Sequence, residues 1–148
     1  MDERFLFRGK RKDNGELVEG YLYITHDGKY EIAKYCDETN IERIAYEVIP
    51  KTVGQCTGLE DKNGKLIFTG DILHIKTGKG WSCPIGTDIY YKVVFTEFNR
   101  EHYGCTEYIG FMAERSNNLS SIYYVVTNYG AEVIGNVYDN PELLEVER

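Results

Sequence analysis

Two histidines and two cysteines are the residues of this sequence best suited to bind a metal ion. His102 and Cys105 are separated by two residues, and His74 and Cys83 lie earlier in the chain. Histidine nitrogen and cysteine thiolate are the usual ligands of zinc. However, the cysteines form no C-x-x-C pair, and four ligands would have to converge from three segments. We therefore expect reduced thiols and ordinary histidines, and we predict neither a metal site nor a cofactor.

A cysteine nucleophile is a second chemistry that these residue types would allow. Cys83 lies in a stretch rich in glycine and proline, so it is the cysteine that we expect to be exposed. Catalysis would need a neighbouring base, and His74 and His102 are the candidates. No nucleophile elbow or other catalytic signature surrounds Cys83. We therefore predict no catalytic residue and expect a non-enzymatic role.

Three carboxylates, Glu60, Asp61 and Asp71, flank one predicted hairpin. Hydrolases hold divalent metals with groups of this kind, so a small metal-dependent hydrolase or nuclease is an alternative function. Aspartates in turns also accept hydrogen bonds from backbone N–H groups, which requires no metal. The glycines Gly64 and Gly70 mark tight turns beside them, and the turn role is therefore the one we expect.

A basic run near the N-terminus suggests nucleic acid. Arg8, Lys10, Arg11 and Lys12 follow two phenylalanines in a predicted hairpin. Basic side chains beside aromatic rings can hold a single strand by charge and stacking. The net charge of the chain is -7, however, which opposes binding to a phosphate backbone. A single-stranded nucleic-acid binder is thus kept as an alternative, and we expect nucleic acid not to be the partner.

Aromatic residues in the second half of the chain favour a protein-binding surface. Trp81 lies in Thr77–Thr87, a segment with three glycines, one proline and no hydrophobic period. Tyr90 and Tyr91 follow it closely, and tryptophan and tyrosine are enriched where proteins bind one another. We predict binding through Trp81, Tyr90 and Tyr91, with Gly78–Gly86 as the contact region. The alternative that Trp81 folds back over one end of the fold stays open.

Short strands are the elements that must position these residues. The chain has 148 residues, of which 42% are hydrophobic and 14% aromatic, so it can form an ordered core. The pairs Asn14-Gly15 and Asn63-Gly64 supply the positive φ angles of tight hairpin turns. Frequent turns between short apolar runs are typical of antiparallel barrels and sandwiches. We therefore predict a mainly β protein that forms one compact unit.

Two elements are predicted near the C-terminus. Ile122–Thr127 consists mostly of β-branched and aromatic residues, so we predict a strand that forms a last hairpin with the segment after it. Asn140 is a suitable N-cap and Pro141 suits the first position of a helix. We predict a short C-terminal helix there, with Leu143 or Leu144 packed on the sheet.

Three separated stretches resemble the YopX family of phage and prophage proteins. In chain order they are FRGKRKDNGELVEGYL, YEVIPKTVGQCTGLEDKNGKLIFTGDIL and EVIGNVYDNPELLE. The segment Lys76–Thr127, which includes the glycine-rich loop, does not match the pattern. The resemblance therefore rests on the two ends and the middle of the chain.

The resemblance implies a fold, a setting and an assembly. It implies an SH3-like β-barrel region at residues 51–148, beside an N-terminal β-hairpin region at 1–50, and a homo-oligomer. It also implies a protein encoded by a phage or prophage that acts in the cytoplasm of its bacterial host. No reaction and no catalytic residue come with it. The function that we predict is an accessory protein that self-associates and binds another macromolecule, a protein of the host or phage.

The sequence predicts neither export nor membrane insertion. No apolar run approaches the roughly 18 residues that a membrane span requires. The first residues, MDERFLFRGKRK, lack the apolar segment and the cleavage site of a signal peptide. We therefore expect no membrane among the partners.

Overall fold

The computed structural model describes residues 3–35, 43–100 and 105–145. The chain divides into two compact units, unit 1 at Met1–Gly58 and unit 2 at Leu59–Arg148. Antiparallel strands form most of the described part of both units, with a short α-helix and three 3₁₀ turns. The prediction of a mainly β protein is therefore confirmed.

Unit 1 is built from antiparallel strands, the last of which continues into unit 2. They are β1 (Phe7–Lys10), β2 (Leu17–Ile24), β3 (Tyr30–Tyr35), β4 (Arg43–Glu47) and β5 (Gly54–Glu60), with 3₁₀ turns at Glu3–Phe5 and Pro50–Thr52. Their order in the sheet is β4-β3-β2-β1-β5. Phe7 pairs with Gly20 and Lys10 with Leu17, so β1 and β2 form the predicted N-terminal hairpin. The core consists of buried aliphatic side chains: Val18, Ile32 and Val48.

Unit 2 contains a second sheet and the α-helix. Its elements are β6 (Leu66–Phe68), β7 (Asp71–Lys76), β8 (Asp88–Arg100), β9 (Cys105–Arg115), β10 (Asn118–Ser121), α1 (Ile122–Tyr129), β11 (Glu132–Asn136) and a 3₁₀ turn at Pro141–Leu144. The sheet is antiparallel and has the order β10-β9-β8-β7-β11. Its core is formed mainly by aliphatic side chains, among them Leu73, Ile75, Ile89, Val93 and Val125.

Strands β7 to β11 form an open sheet, which corrects the expectation of an SH3-like barrel at residues 51–148. β10 and β11 stand at the two ends of the strand order and are not paired with each other. The segment between them, which the sequence predicted as a strand, is the helix α1. A helix cannot supply the ladder of hydrogen bonds that would continue the sheet toward closure.

Helix α1 forms because its two caps and its apolar period outweigh strand propensity. Ser121 caps the start by accepting a hydrogen bond from the backbone N–H of Tyr124, and Gly130 ends the helix in the left-handed conformation. Ile122 and Val125, three positions apart, are buried in the core. The predicted strand at Ile122–Thr127 was therefore wrong. No helix in the described ranges has the length and hydropathy to span a bilayer.

The two longest strands extend past their neighbours and form a two-stranded arm. β7 pairs with β8 as far as Lys92, and Gly70 adds a hydrogen bond to the carbonyl of Val93. β10 pairs with β9 only from Met112 onward. In the described part of the chain, residues 94–100 and 105–111 therefore pair only with each other. These two segments are called the arm below.

The C-terminal turn lies at the predicted position but is shorter than an α-helix. Pro141–Leu144 forms a single 3₁₀ turn, and Asn140 does not cap it with its side chain. Instead, the side-chain oxygen of Asn140 accepts a hydrogen bond from the backbone of Asn136. Leu144 is half-buried and lines a surface cavity together with Tyr90 of β8. The turn therefore lies close to β8 of the sheet, in line with the predicted packing.

Candidate interaction surface

The loop Thr77–Thr87 is closed at its base by hydrogen bonds to one buried residue. Thr77 donates its backbone N–H to the carbonyl of Thr87, and its own carbonyl accepts from Gly86. Its hydroxyl donates to the carbonyl of Pro84 and accepts from the backbone of Thr87. The loop is therefore a compact turn that holds Trp81 in a defined position.

Trp81 packs onto the core of unit 2 and onto helix α1. The side chain is half-buried against the core cluster. Its ring meets the ring of Tyr129 edge to face, with 4.7 Å between centroids and 60° between planes. This arrangement is one of the two that aromatic pairs prefer. Trp81 therefore folds back, as the alternative in the sequence analysis proposed, and keeps part of its ring accessible.

A second tyrosine extends the aromatic contact toward solvent. The rings of Tyr124 and Tyr129 are 5.2 Å apart and nearly perpendicular, and the Tyr129 hydroxyl donates to that of Tyr124 at 3.3 Å. This hydrogen bond raises the pKa of Tyr129 to about 12. Tyr124 is 50% exposed. Trp81, Tyr129 and Tyr124 are called the aromatic surface below.

The aromatic surface is uncharged. Helix α1, with the sequence IYYVVTNY, contains no acidic or basic residue. Tyr123 on the same helix and Ile85 in the loop are among the most exposed large hydrophobic side chains of the described residues. Exposed aromatic rings that carry a tyrosine hydroxyl or a tryptophan N–H group suit contact with protein better than contact with phosphate.

Tyr90 and Tyr91, the other predicted binding residues, lie on opposite faces of β8. Tyr91 is buried in the core of unit 2. Tyr90 is half-buried, and its ring centroid is 5.2 Å from that of His74. It also lines a surface cavity of about 510 Å³ together with Lys92, whose ammonium group is paired with Glu114. The structure therefore does not place the two tyrosines on one surface.

The four basic residues proposed for nucleic acid lie on β1 or just after it: Arg8, Lys10, Arg11 and Lys12. Arg8 is buried and Lys10 is half-buried. The guanidinium group of Arg11 makes two hydrogen bonds with Asp13, at 3.0 and 2.6 Å. Lys12 pairs with Glu47 at 2.6 Å. Carboxylates thus offset the positive charges of Arg11 and Lys12, which weakens the case for a phosphate-binding face.

The two aspartates proposed for metal-dependent hydrolysis hold backbone groups. Asp61 is buried and accepts hydrogen bonds from three backbone N–H groups. Asp71 is also buried and accepts one from Phe68 at 2.8 Å. Glu60 is exposed. Carboxylates that satisfy buried backbone donors have a structural role that needs no metal.

The residues proposed as zinc ligands are only partly described. His102 and the side chain of Cys105 lie outside the described residues, and Cys83 is half-buried against the core cluster. His74 lies between the carboxylates of Asp88 and Glu132. Among the side chains that the structure describes, no three or more of His, Cys, Asp and Glu are placed to hold one metal ion.

Sequence reasoning singled out Trp81 but did not predict which rings it contacts. Tyr129 contacts Trp81, and Tyr124 contacts Tyr129, because both tyrosines lie on helix α1, whereas the sequence predicted a strand at Ile122–Thr127. A helical signal was present: Ser121 and Gly130 are good caps, and apolar residues recur at Ile122 and Val125. The β-branched and aromatic residues of the segment favour a strand and oppose these signals.

Comparison with known proteins relates nearly the full length of the chain to one family and one fold. No curated protein matches it. The crystal structure of protein EF1440 from Enterococcus faecalis is similar, with a TM-score of 0.54 and 24% sequence identity over 93% of this chain and 96% of that chain. At this identity the likeness concerns the fold alone. The family model described as YopX protein matches residues 6–145, nearly the full length, and the chain therefore belongs to the YopX family.

Proposed function

We propose that this chain is a non-catalytic accessory protein that self-associates and binds a further protein of its host or phage. The observation that carries the proposal is the aromatic surface, in which Trp81, Tyr129 and Tyr124 form one continuous set of ring contacts. Tryptophan and tyrosine supply much of the binding energy in protein interfaces. Packed rings also lose little side-chain entropy on binding, because their neighbours already hold them.

The chemistry of the surface indicates the kind of protein partner. No charged residue lies on helix α1, so a partner selected by strong charge complementarity is not favoured. The exposed ring of Tyr124 offers apolar area, and its hydroxyl offers a hydrogen bond. We therefore propose that the partner presents an apolar patch bordered by hydrogen-bonding groups.

The arm supports self-association, because apolar side chains on the core side of the sheet continue along it to Phe95 on β8 and to Ile109 on β9, which pairs with Glu97. Val93 and Ala113 pair with each other and are fully buried. Two residues further out on the same face, Phe95 and Phe111 are paired, with 5.0 Å between ring centroids. Phe95 is 54% exposed, and Ile109 beyond Phe111 is 62% exposed.

The backbone of the arm also suits association. Both of its outer edges lack a neighbouring strand in the described part of the chain. An isolated two-stranded ribbon is marginally stable in water, and unpaired edges readily accept another strand. A second copy supplies the same edge and the same apolar face, which is what a symmetric pair requires. We therefore propose the arm as the self-association surface.

Family membership supports the biological setting in which we propose this role. The YopX match and the three sequence stretches are the basis for a phage or prophage origin and for action in the cytoplasm of the bacterial host. The likeness to protein EF1440 adds support for the fold. The metal-dependent hydrolase and the nucleic-acid binder gain no comparable support, since Asp61 binds backbone groups and Arg11 and Lys12 are paired with carboxylates.

Affinity purification with a matched variant tests protein binding. Tagged protein is incubated with lysate of a phage-bearing host, with and without nuclease, and bound proteins are identified by mass spectrometry. Tyr124→Ala should lose the partner, whereas Tyr23→Ala, at a tyrosine of similar exposure (48%) in unit 1, should retain it. The proposal would be contradicted if nuclease treatment removed the bound protein, or if that protein bound Tyr124→Ala as well as it binds the wild type.

Sedimentation equilibrium tests self-association through the arm. Ile109→Thr and Phe95→Thr should lower the average mass toward that of the 17.1 kDa chain. Ile24→Thr, at a strand residue of unit 1 that is 52% exposed, should leave the mass distribution unchanged. A monomeric wild-type protein at all concentrations, or an oligomer that both arm variants preserve, would contradict the proposal.

A further inference from the structure

The aromatic surface is a stepped row of three rings. Tyr129 lies between Trp81 and Tyr124, with ring centroids 4.7 and 5.2 Å away and interplanar angles of 60° and 89°. Rings inclined in this way leave notches between them and form no common stacking plane. A flat group such as a nucleobase would therefore stack on one of the three rings at most, whereas a ligand with short, bulky side groups can contact all of them.

Both ends of the row carry a hydrogen-bond donor that is available to a ligand. The oxygen of Tyr124 accepts from Tyr129 at 3.3 Å, so its own O–H is left to donate. The indole N–H of Trp81 can only donate. It has no acceptor among the residues that the structure describes, and none of their unpaired side-chain nitrogens is buried, so this N–H reaches solvent. The row therefore suits a ligand that supplies hydrogen-bond acceptors.

The length of the row selects among the backbone conformations of a peptide. From Trp81 to Tyr124 it extends at most about 10 Å. In a polyproline II helix, residues on one side recur every three positions, about 9 Å apart. Residues on one side of a β-strand recur about 7 Å apart, and the strand brings N–H groups that need acceptors. An α-helix uses its carbonyl groups internally. The polyproline II helix alone matches both the length and the donors.

We propose that the aromatic surface binds a proline-rich segment of the partner protein in the polyproline II conformation, with two prolines three positions apart at Trp81 and Tyr124. This inference rests on the proposed function and specifies the ligand of the same surface. Proline has a backbone carbonyl and no N–H, so it brings an acceptor and leaves no donor unpaired. Its fixed φ angle reduces the entropy lost on binding, which is why aromatic grooves bind such segments well.

The fluorescence of Trp81 reports binding directly, because the sequence contains a single tryptophan. The full chain is titrated with a capped oligoproline peptide of about nine residues, which forms three turns of the helix. We expect a saturable change in the emission of Trp81. A flexible glycine-serine peptide of the same length should cause none. The proposal would be overturned by the absence of a saturable change with oligoproline, or by an equal change with both peptides.

Two substitutions on helix α1 locate the binding site. Tyr124→Ala removes one ring and one donor and should weaken oligoproline binding by about tenfold or more. Tyr123→Ala, at a neighbouring tyrosine that is 64% exposed and outside the row, should bind as wild type does. Circular dichroism checks that both variants are folded. Should Tyr124→Ala fail to fold, Tyr124→Phe keeps the ring, removes the donor and should weaken binding by about threefold or more. Equal affinities of wild type and the folded Tyr124 variant would contradict the proposal.

Competition separates this inference from the proposed function. Excess oligoproline should release the partner that the tagged protein captures through Tyr124, and the glycine-serine peptide should not. If capture depends on Tyr124 but oligoproline neither changes the emission of Trp81 nor releases the partner, the ligand class is wrong and the protein-binding role stands. If no captured protein depends on Tyr124, the proposed function itself fails.

The spacing of the prolines provides a second test of the geometry. A peptide of the same length with prolines three positions apart should bind more tightly than one with the same number of prolines two positions apart, because only the former places them on one side of the helix. Equal affinities of the two peptides would contradict the assigned contacts at Trp81 and Tyr124.

Discussion

Asp61 accepts a hydrogen bond at Oδ2 from the backbone N–H of Val133, 72 residues further along the chain, at 2.9 Å. Its Oδ1 accepts two more, from the backbone of Asn63 at 2.8 Å and of Lys65 at 2.9 Å. One buried carboxylate thus caps the turn before β6 and also holds edge strand β11. Asp61 therefore has the turn-capping role that the sequence analysis expected, and it belongs to the framework of unit 2.

Replacing Asp61 should destabilise the protein markedly. Asp61→Ala leaves three backbone donors without their acceptor, and we expect the free energy of unfolding to fall by about 3 kcal/mol or more. Urea denaturation with a common m-value provides the measurement. Glu60→Ala, at the exposed neighbour, should change stability by less than about 0.5 kcal/mol. Equal effects of the two substitutions would contradict the role of Asp61.

The same carboxylate should contribute to acid sensitivity. Burial raises the pKa of Asp61, but hydrogen bonds from the backbone of Val133, Lys65 and Asn63 outweigh burial and lower it overall. A lowered pKa contributes stability above the ordinary aspartate range, at about 3.9, and that stability is lost as the pH falls. Urea midpoints measured from neutral to acidic pH should therefore decline less steeply for Asp61→Asn than for wild type. Parallel pH curves would contradict this assignment.

The C-terminal cap of helix α1 should tolerate only residues that accept a left-handed backbone. Gly130 has φ 59° and ψ 46°, and its N–H donates to the carbonyl of Val126. Gly130→Ala should cost about 1–2 kcal/mol, because a Cβ atom is strained in this conformation. Gly78→Ala is the matched control, since Gly78 lies in open space and lacks a left-handed φ. Thermal unfolding of both variants checks the difference, and a neutral Gly130→Ala would argue against this cap.

The hydrogen bond within the aromatic surface should be visible in tyrosine ionisation. The Tyr129 hydroxyl donates to Tyr124, which raises the pKa of Tyr129 to about 12. Tyr124→Phe removes the acceptor, so the pKa of Tyr129 should fall toward the ordinary value of about 10. Carbon NMR of labelled tyrosine rings during an alkaline titration measures the change. Tyr123→Phe, on the same helix, should leave Tyr129 unaffected, and a Tyr129 that titrates identically in both variants would contradict the contact.

Local turn chemistry made part of the fold predictable. Gly15 and Gly64 adopt positive φ angles, as the Asn-Gly pairs indicated, because few other residues adopt this conformation easily. The strand predicted at Ile122–Thr127 failed because its propensity was opposed by Ser121, by Gly130 and by burial in the core. That burial depends on tertiary packing, which a single sequence does not show.

Within the candidate site, the sequence identified only the residue whose type and local sequence were sufficient to indicate binding. Trp81 stood out by its type and its glycine-rich loop, whereas its contact with Tyr129, 48 residues further along the chain, depends on the formation of helix α1. The carboxylate partners of the basic run could not be predicted for the same reason. Lys12 is neutralised by Glu47, a residue 35 positions away that is brought close by the pairing of strands. Contacts of this range follow from topology, and composition does not reveal them.

Helix α1 also bears on how the chain behaves before it folds. The segment Ile122–Thr127 has no charge, no proline and a majority of β-branched or aromatic residues. Such a segment in an unfolded chain pairs readily with copies of itself and leads to aggregation. In the native protein the backbone groups of this segment form hydrogen bonds within the helix, so they do not pair with another chain. Ile122 and Val125 are also buried. The caps at Ser121 and Gly130 therefore also protect the chain from aggregation. A variant with a weakened cap should give less soluble protein than an equally destabilised variant with both caps intact.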